Sequence, residues 1–308
     1  MGFPILDEAF RAERLSLPHG GRIRAVLDTD TYNEIDDQFA LSYLALSREK
    51  IDLEAVYAAP FHNDRSRNAG DGMKKSYNEI LRLADFLGTP SADVVFPGSK
   101  AFLKDEKHAQ KSAAASDLIS RAQKNDSRPL YVIAIGAITN VASALLLEPE
   151  LVSRIVVVWL GGHGPNWPNT REFNLFQDIA ASRVLLDSGV PLVIVPCHPV
   201  ASHMITTLAD VETHIGEAGK IGRYLTSIVR DYSDDHFAYG KVIWDIAPVG
   251  YVVNPDWVPS GLGPAPILND GFRWSVDPSR HLIRTAYSVN RNAIFRDVYT
   301  KIKAAQSI

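Results

Sequence analysis

The chain has 308 residues, 46% of them apolar, a formal net charge of −4 and a pI near 6.1. That is enough apolar material for one large core, and the absence of a basic stripe argues against nucleic acid as a partner. No apolar run approaches the roughly 18 residues of a membrane span, no cationic segment with an apolar h-region opens the chain, and Cys197 is the only cysteine. The expectation is therefore a cytoplasmic protein with no membrane partner, no internal disulfide and no multi-cysteine metal site.

Residues 1–20 read as an N-terminal extension with a short helix. Residues 24–41 then carry the densest chemistry in the chain. The apolar run Ala25-Val26-Leu27 leads into Asp28, Asp30, Glu34, Asp36 and Asp37, five carboxylates within ten residues. From Ile35 the apolar positions change spacing (Ile35, Phe39, Ala40, Tyr43, Leu44), so the stretch predicts a strand, an acidic loop and a helix over 36–48. Carboxylates between a buried strand and a helix start belong at the carboxyl edge of a parallel sheet. Crowded like charges repel and raise one another's pKa, and a hard cation with oxygen ligands removes that cost. The competing reading is a solvated loop with an Asp at the helix N-cap.

Downstream, Ile51–Ala59 predicts a second strand, residues 61–67 a polar loop, and residues 66–87 a long helix stopped by Gly88-Thr89-Pro90. Asp93–Phe96 is a short strand and Ser112–Gln123 a helix. Leu130–Ile135 and Ile155–Leu160 are buried strands, each followed by glycine. Phe176–Asp187 predicts a helix, Pro191–Val195 a strand, residues 211–232 a helical stretch and Asp245–Val253 a helix. Gly271–Val276 and His281–Val289 predict strands, and residues 291–305 a last helix. This alternation predicts an α/β fold: a single domain over 1–308, with a mostly parallel central sheet and helices on both faces.

Polar residues recur at the predicted strand ends: Asn63, Gly136 and Asn140, Gly161-Gly162-His163, Asn166, and Glu172-Phe173-Asn174. Taken in order, these stretches resemble the nucleoside hydrolase family, the calcium-dependent N-ribohydrolases. Asp28-Thr29-Asp30 with Asp36-Asp37 resembles the family's Asp-Thr-Asp…Asp-Asp signature. Residues 135–140 resemble its Gly-x-Leu-Thr-Asn turn, and Gly161-Gly162, Asn166 and Glu172-Phe173-Asn174 its Gly-Gly…Asn…Glu-Phe-Asn segment. Asp178-Ile-Ala-Ala resembles the following Asp-Pro-Glu-Ala, and Trp244-Asp245 occupies the late ligand position. The resemblance covers roughly residues 23–255. It departs from the family in two places. Five residues separate Asp30 from Asp36 where three are usual, and Trp244 stands where many members carry a catalytic His, as in the purine-preferring branch.

The resemblance implies a Rossmann-like fold and hydrolysis of a ribonucleoside to free base and ribose. Its oxocarbenium-like transition state suits a carboxylate-rich floor. It implies Ca²⁺ held by Asp30, Asp37, Asp245 and the main-chain oxygen of Ile135, with Asp30 as general base on an activated water. Asp36 and Asn174 are then expected at the ribose 2′-OH, Asn63 and Asp245 at the 3′-OH, and Asn166 and Glu172 at the 5′-OH. For the leaving base, His62, His163 or His236 could act as acid, or stacking on Trp244 could suffice. His198 could line the pocket floor or cap a strand, the cap being the favoured reading, and Cys197 reads as a buried small residue. A homodimer or homotetramer is implied by analogy. Two alternatives stay open: a haloacid-dehalogenase-type phosphotransferase, suggested by Asp28-x-Asp30, and a non-catalytic nucleoside- or ribose-binding protein on the same fold.

Overall fold

A computed structural model describes residues 2–18, 20–89 and 91–305. Pro90, part of the expected helix stop, and residues 306–308 lie outside that range. The strands, in chain order, are β1 (Ile23–Thr29), β2 (Ile51–Ala58), β3 (Val95–Pro97), β4 (Leu130–Ala134), β5 (Ile155–Leu160), β6 (Leu192–Val195), β7 (Ile205–Thr206), β8 (Lys241–Val242), β9 (Ser260–Pro264), β10 (Ile267–Leu268), β11 (Trp274–Ser275) and β12 (Leu282–Ala286). Eight of them form one sheet in the order β3-β2-β1-β4-β5-β6-β12-β9, parallel except for β9, which runs antiparallel to β12 at the edge. The chain winds outward from β1 through β2 to β3, then returns to β4 on the other side. β1 and β4 are thus neighbours whose connections leave in opposite directions, the switch point at which such sheets open a crevice.

Alternation along the strands divides the core into two layers. Ala25 and Leu27 of β1, Tyr131 and Ile133 of β4, and Val156 and Val158 of β5 face one cluster. Val26, Val132, Val157 and Trp159 face the other. Every residue of β1, β4 and β5 is buried, as expected of central parallel strands covered on both faces. The fully buried indole of Trp159 donates to the Gly136 carbonyl (3.2 Å) and fills the space a side chain at Gly161 would need, 2.4 Å from its ideal Cβ.

The predicted elements are found close to their places, with four differences. Phe176–Asp187 is not one helix but the end of Phe173–Gln177 followed by Ile179–Asp187. Asp178 makes the break: its carboxylate caps the second helix through the Ala181 N–H (2.9 Å) and also accepts from Leu103 N (2.8 Å) and Thr139 Oγ1 (2.7 Å). The 211–232 stretch is likewise two helices, Leu208–Ile215 and Gly219–Arg230. Of Gly271–Val276 only β11 is extended, paired with β10 outside the main sheet. The edge strand β9 and the two-residue strands β7, β8 and β10 are additional. The N-terminal extension is helical at Glu8–Arg14 and docked: Arg11 is buried and donates to the Gly189 carbonyl.

Candidate active site

At the carboxyl ends of β1, β4 and β5 lies a cavity of about 540 Å³, walled by Glu34, Asp36, Asn63, Ile135, Glu172, Asn174, Trp244 and Asp245 among others. The first loop builds its floor. Asp28 and Asp30 extend from β1, and Asp36 and Asp37 sit at the start of helix Asp37–Leu46. Asp245 arrives from a separate direction, at the start of Ile246–Val253. Asp30, Asp36, Asp37 and Asp245 are all almost fully buried. One carboxylate oxygen from each of Asp36, Asp37 and Asp245 lies within 4.8 Å of the others.

Burying these acids together makes ionisation costly. Burial, then Asp36, push Asp37 up to about 8, and burial raises Asp36 to about 6 against the pull of Lys241. Asp30 is raised well above the ordinary range by burial, Asp37 and Asp36, and Asp245 by burial, Asp36 and Asp37. Both oxygens of Asp30 and one of Asp37 are buried without a hydrogen-bond partner among the described residues. A native core rarely tolerates this unless something else neutralises the charge. Gly136 keeps the space beside Asp30 open, since a Cβ there would lie 3.1 Å from the carboxylate. The donors are all hard oxygens, the set that suits a cation such as Ca²⁺ and not a thiophilic metal.

Asp28 is held differently. Asn140 Nδ2 donates to its Oδ1 (2.8 Å) and to the Ala58 carbonyl (3.2 Å), while Asn140 Oδ1 accepts from the backbone N–H and hydroxyl of Ser99 (both 2.8 Å). Asn140 is therefore a fully bonded strut joining three strand ends. Burial still pushes Asp28 up to about 7. Thr29 Oγ1 donates to Asp37 and orients it from below.

On the upper wall, Glu172 caps the helix starting at Phe173, accepting from the backbone N–H groups of Asn174 (2.8 Å), Leu175 (3.2 Å) and Gly162 (2.8 Å). Asn174 Nδ2 donates to the carbonyls of Leu160 (2.9 Å) and Ile135 (3.3 Å), tying the ends of β5 and β4 together. Asn63 lines the opposite side, its Nδ2 bonded to the side-chain oxygen of Asn33 (2.9 Å).

Of the expected residues, Asp30 and Asp37 are buried and not themselves part of the cavity wall, and His62, Asn166 and His236 do not line it either. Asn166 sits on an exposed stretch, and its side chain is not part of the wall. His236 is also outside: its Nε2 bonds the Arg230 carbonyl (2.9 Å) and its ring packs against Tyr239. His198, for which the strand cap is the favoured reading of the sequence and the pocket the other, lies in the wall with His163 and Trp244. The His198 ring stacks on Trp167 (4.9 Å, 4°) and meets Trp244 edge-on at 5.5 Å.

The inserted loop residue Glu34 faces the cavity. Its carboxylate pairs with Lys241 Nζ (2.5 Å) and accepts from the Tyr232 hydroxyl (3.2 Å). Lys241 was not singled out in the sequence, because 207 positions separate it from Glu34. It is nearly buried over the Tyr232 ring. Burial opposes its charge, but Asp36 and Glu34 outweigh that and hold its pKa above the ordinary value.

Comparison with known proteins identifies the family. The family model for inosine-uridine preferring nucleoside hydrolases matches residues 25–303. A pyrimidine-specific ribonucleoside hydrolase, RihA, of Klebsiella pneumoniae is 27% identical over 230 residues, covering 67% of this chain and 69% of that protein. A putative pyrimidine-specific ribonucleoside hydrolase, RihB, of Shigella boydii is 26% identical over 158 residues, covering 49% and 65%. Among solved structures, the plant nucleoside hydrolase PpNRh1 superposes with a TM-score of 0.73 at 20% identity, covering 92% of this chain and all of its own. The purine-preferring ribonucleoside hydrolase of Gardnerella vaginalis superposes at 0.72 and 20% identity, covering 92% and 99%. The chain belongs to the nucleoside hydrolase family, N-glycosyl hydrolases that cleave ribonucleosides to free base and ribose.

Proposed function

We propose that the acidic floor holds Ca²⁺ through Asp30, Asp37, Asp245 and the main-chain oxygen of Ile135, and that Asp30 is the general base. The observation that carries this is the set of unpartnered, buried carboxylate oxygens on Asp30 and Asp37, beside the cavity and next to Gly136. A bound Ca²⁺ supplies the positive charge that keeps these acids ionised near neutral pH and acidifies water at the site. Asp30 takes a proton from the water that attacks C1′ of the ribose. Asp36 and Asn174 face the 2′-OH, and Asn63 and Asp245 the 3′-OH. Glu172 takes the 5′-OH alone, because Asn166 stands outside the wall. Trp244 stacks on the base, with the His198 edge closing the slot behind it. The working form is a cytoplasmic homodimer or homotetramer.

The test is release of reducing sugar from a nucleoside panel including inosine and uridine, with and without a calcium chelator. The expected result is turnover that the chelator abolishes and Ca²⁺ restores. Tight nucleoside binding with no base released after prolonged incubation would instead mark a non-catalytic binding protein.

A further inference from the structure

His163 stands on the cavity wall with its backbone bonded on both sides. Its backbone N–H donates to Thr170 Oγ1 (2.9 Å), and its carbonyl accepts from Trp274 Nε1 (2.8 Å). The preceding Gly162 has φ +69°, and a Cβ there would lie 2.4 Å from Thr170 Oγ1, so only glycine allows this approach. The His163 ring sits 5.1 Å from that of His198 and 6.0 Å from that of Trp167. Its Nδ1 is 3.3 Å from the backbone N–H of His198. A backbone N–H can only donate, so Nδ1 must accept, and the hydrogen-bond network assigns the single proton of the neutral ring to Nε2. Burial and the neighbouring His198 push the imidazole down to about 4, so the ring is neutral at physiological pH. Among the described residues, no acceptor is bonded to Nε2. The result is a fixed N–H donor on the wall, next to the aromatic slot of His198 and Trp244.

We propose that His163 donates the Nε2–H hydrogen bond that stabilises the departing base, the task for which Trp244 has no titratable group. This rests on the reading of the cavity as a ribonucleoside site. As the C1′–N bond breaks, its electron pair passes to the base, and negative charge spreads over the ring nitrogens and exocyclic oxygen. A preorganised donor at that charge lowers the barrier without transferring its proton. The attacking water delivers its hydroxyl to C1′ and a proton to Asp30. The base takes its proton from solvent water, to which Asp30 in turn releases its own. His163 thus acts as a catalytic hydrogen-bond donor and not as a general acid. The other histidines fit this less well: His62 and His236 do not line the cavity, and among the described residues no hydrogen bond fixes the His198 tautomer.

The experiment compares substrates that need leaving-group stabilisation with one that does not. His163→Ala and His163→Gln are assayed on inosine, uridine and p-nitrophenyl β-D-ribofuranoside, whose phenolate leaves unaided. Removing a preorganised donor is expected to lower kcat on the nucleosides about 100-fold and on the nitrophenyl riboside by less than about 3-fold. His163→Gln, which retains an N–H, recovers part of the nucleoside activity. An equal loss on all three substrates in both variants overturns the assignment while leaving the hydrolase reading intact. Wild-type protein that cleaves none of the three overturns both.

Discussion

Removing the cation should make the stability of this protein depend on pH in a particular direction. Asp37 rises from 3.8 to about 8 on folding, so the folded state holds a proton that the unfolded state has lost. A group with a raised folded pKa of this kind weakens folding as pH climbs from the unfolded value through the folded one. From these two values the cost to folding rises by roughly 4 kcal/mol between pH 5 and pH 8. Asp36, raised to about 6, and Asp28, raised to about 7, add in the same sense. Three histidines work the other way: burial pushes His163 and His281 down to about 4 and lowers His198 as well, which destabilises the fold below their ordinary 6.5. They contribute to cation-loaded and chelated protein alike and cancel in the difference. The assay is therefore thermal unfolding at pH 5 and pH 8, each in Ca²⁺ and in chelator. The stabilisation by Ca²⁺ is expected to be greater at pH 8, by about 8 °C at roughly 2 °C per kcal/mol for a chain this long. A Ca²⁺ effect no larger at pH 8 than at pH 5 would refute the view that ionised, uncompensated carboxylates dominate the apo site.

Further outcomes follow from individual contacts. Asp30→Asn should remove nearly all sugar release while the melting temperature in chelator rises, since one buried charge is gone. A 2′-deoxynucleoside should be turned over far more slowly than its ribo counterpart, because Asp36 and Asn174 would be left unpaired; equal kcat/KM for the two would remove both residues from that role. Asn140→Ala strands Asp28, Ser99 and the Ala58 carbonyl at once and should cost about 2–4 kcal/mol in urea unfolding. Glu34→Gln leaves the buried Lys241 ammonium poorly paired and should cost about 1–3 kcal/mol. Adding Lys241→Met should cost less than the sum of the two single changes in a double-mutant cycle.

The parts of the fold legible in the sequence are those where one physical demand acts alone. β1, β4 and β5 are buried on both faces, so each carries an apolar run (Ala25–Leu27, Leu130–Ile135, Ile155–Leu160) followed by Asp or Gly. The metal-like floor was legible for the same reason, since Asp28, Asp30, Asp36 and Asp37 are neighbours in sequence. Elements decided by distant partners were not legible. The break at Asp178 depends on Leu103 and Thr139, which nothing in the local periodicity announces. β9 reads Ser-Gly-Leu-Gly-Pro, a composition poor in strand formers, and is extended only because β12 pairs with it at the sheet edge. Lys241 carried no signal in the sequence, since its partners Glu34 and Asp36 lie about 200 positions away. His198 looked like a strand cap, and the imidazole wall it shares with His163 exists only because the loops after β5 and β6 meet.

The inserted loop also has a kinetic consequence. Glu34 is held by Tyr232 and Lys241, its carbonyl accepts from Arg65 Nη1 (3.3 Å), and the adjacent Asn33 is bonded by Asn63. Three separate segments of chain are thus fastened across one side of the cavity. The 231–244 stretch cannot swing aside without breaking the Lys241–Glu34 ion pair and leaving the ammonium unmatched. If ribose leaves by that side, its departure is timed by an ion-pair opening and not by chemistry at C1′. Added salt, which screens the partly exposed Glu34 carboxylate as it separates, would then speed turnover under conditions where product release limits it.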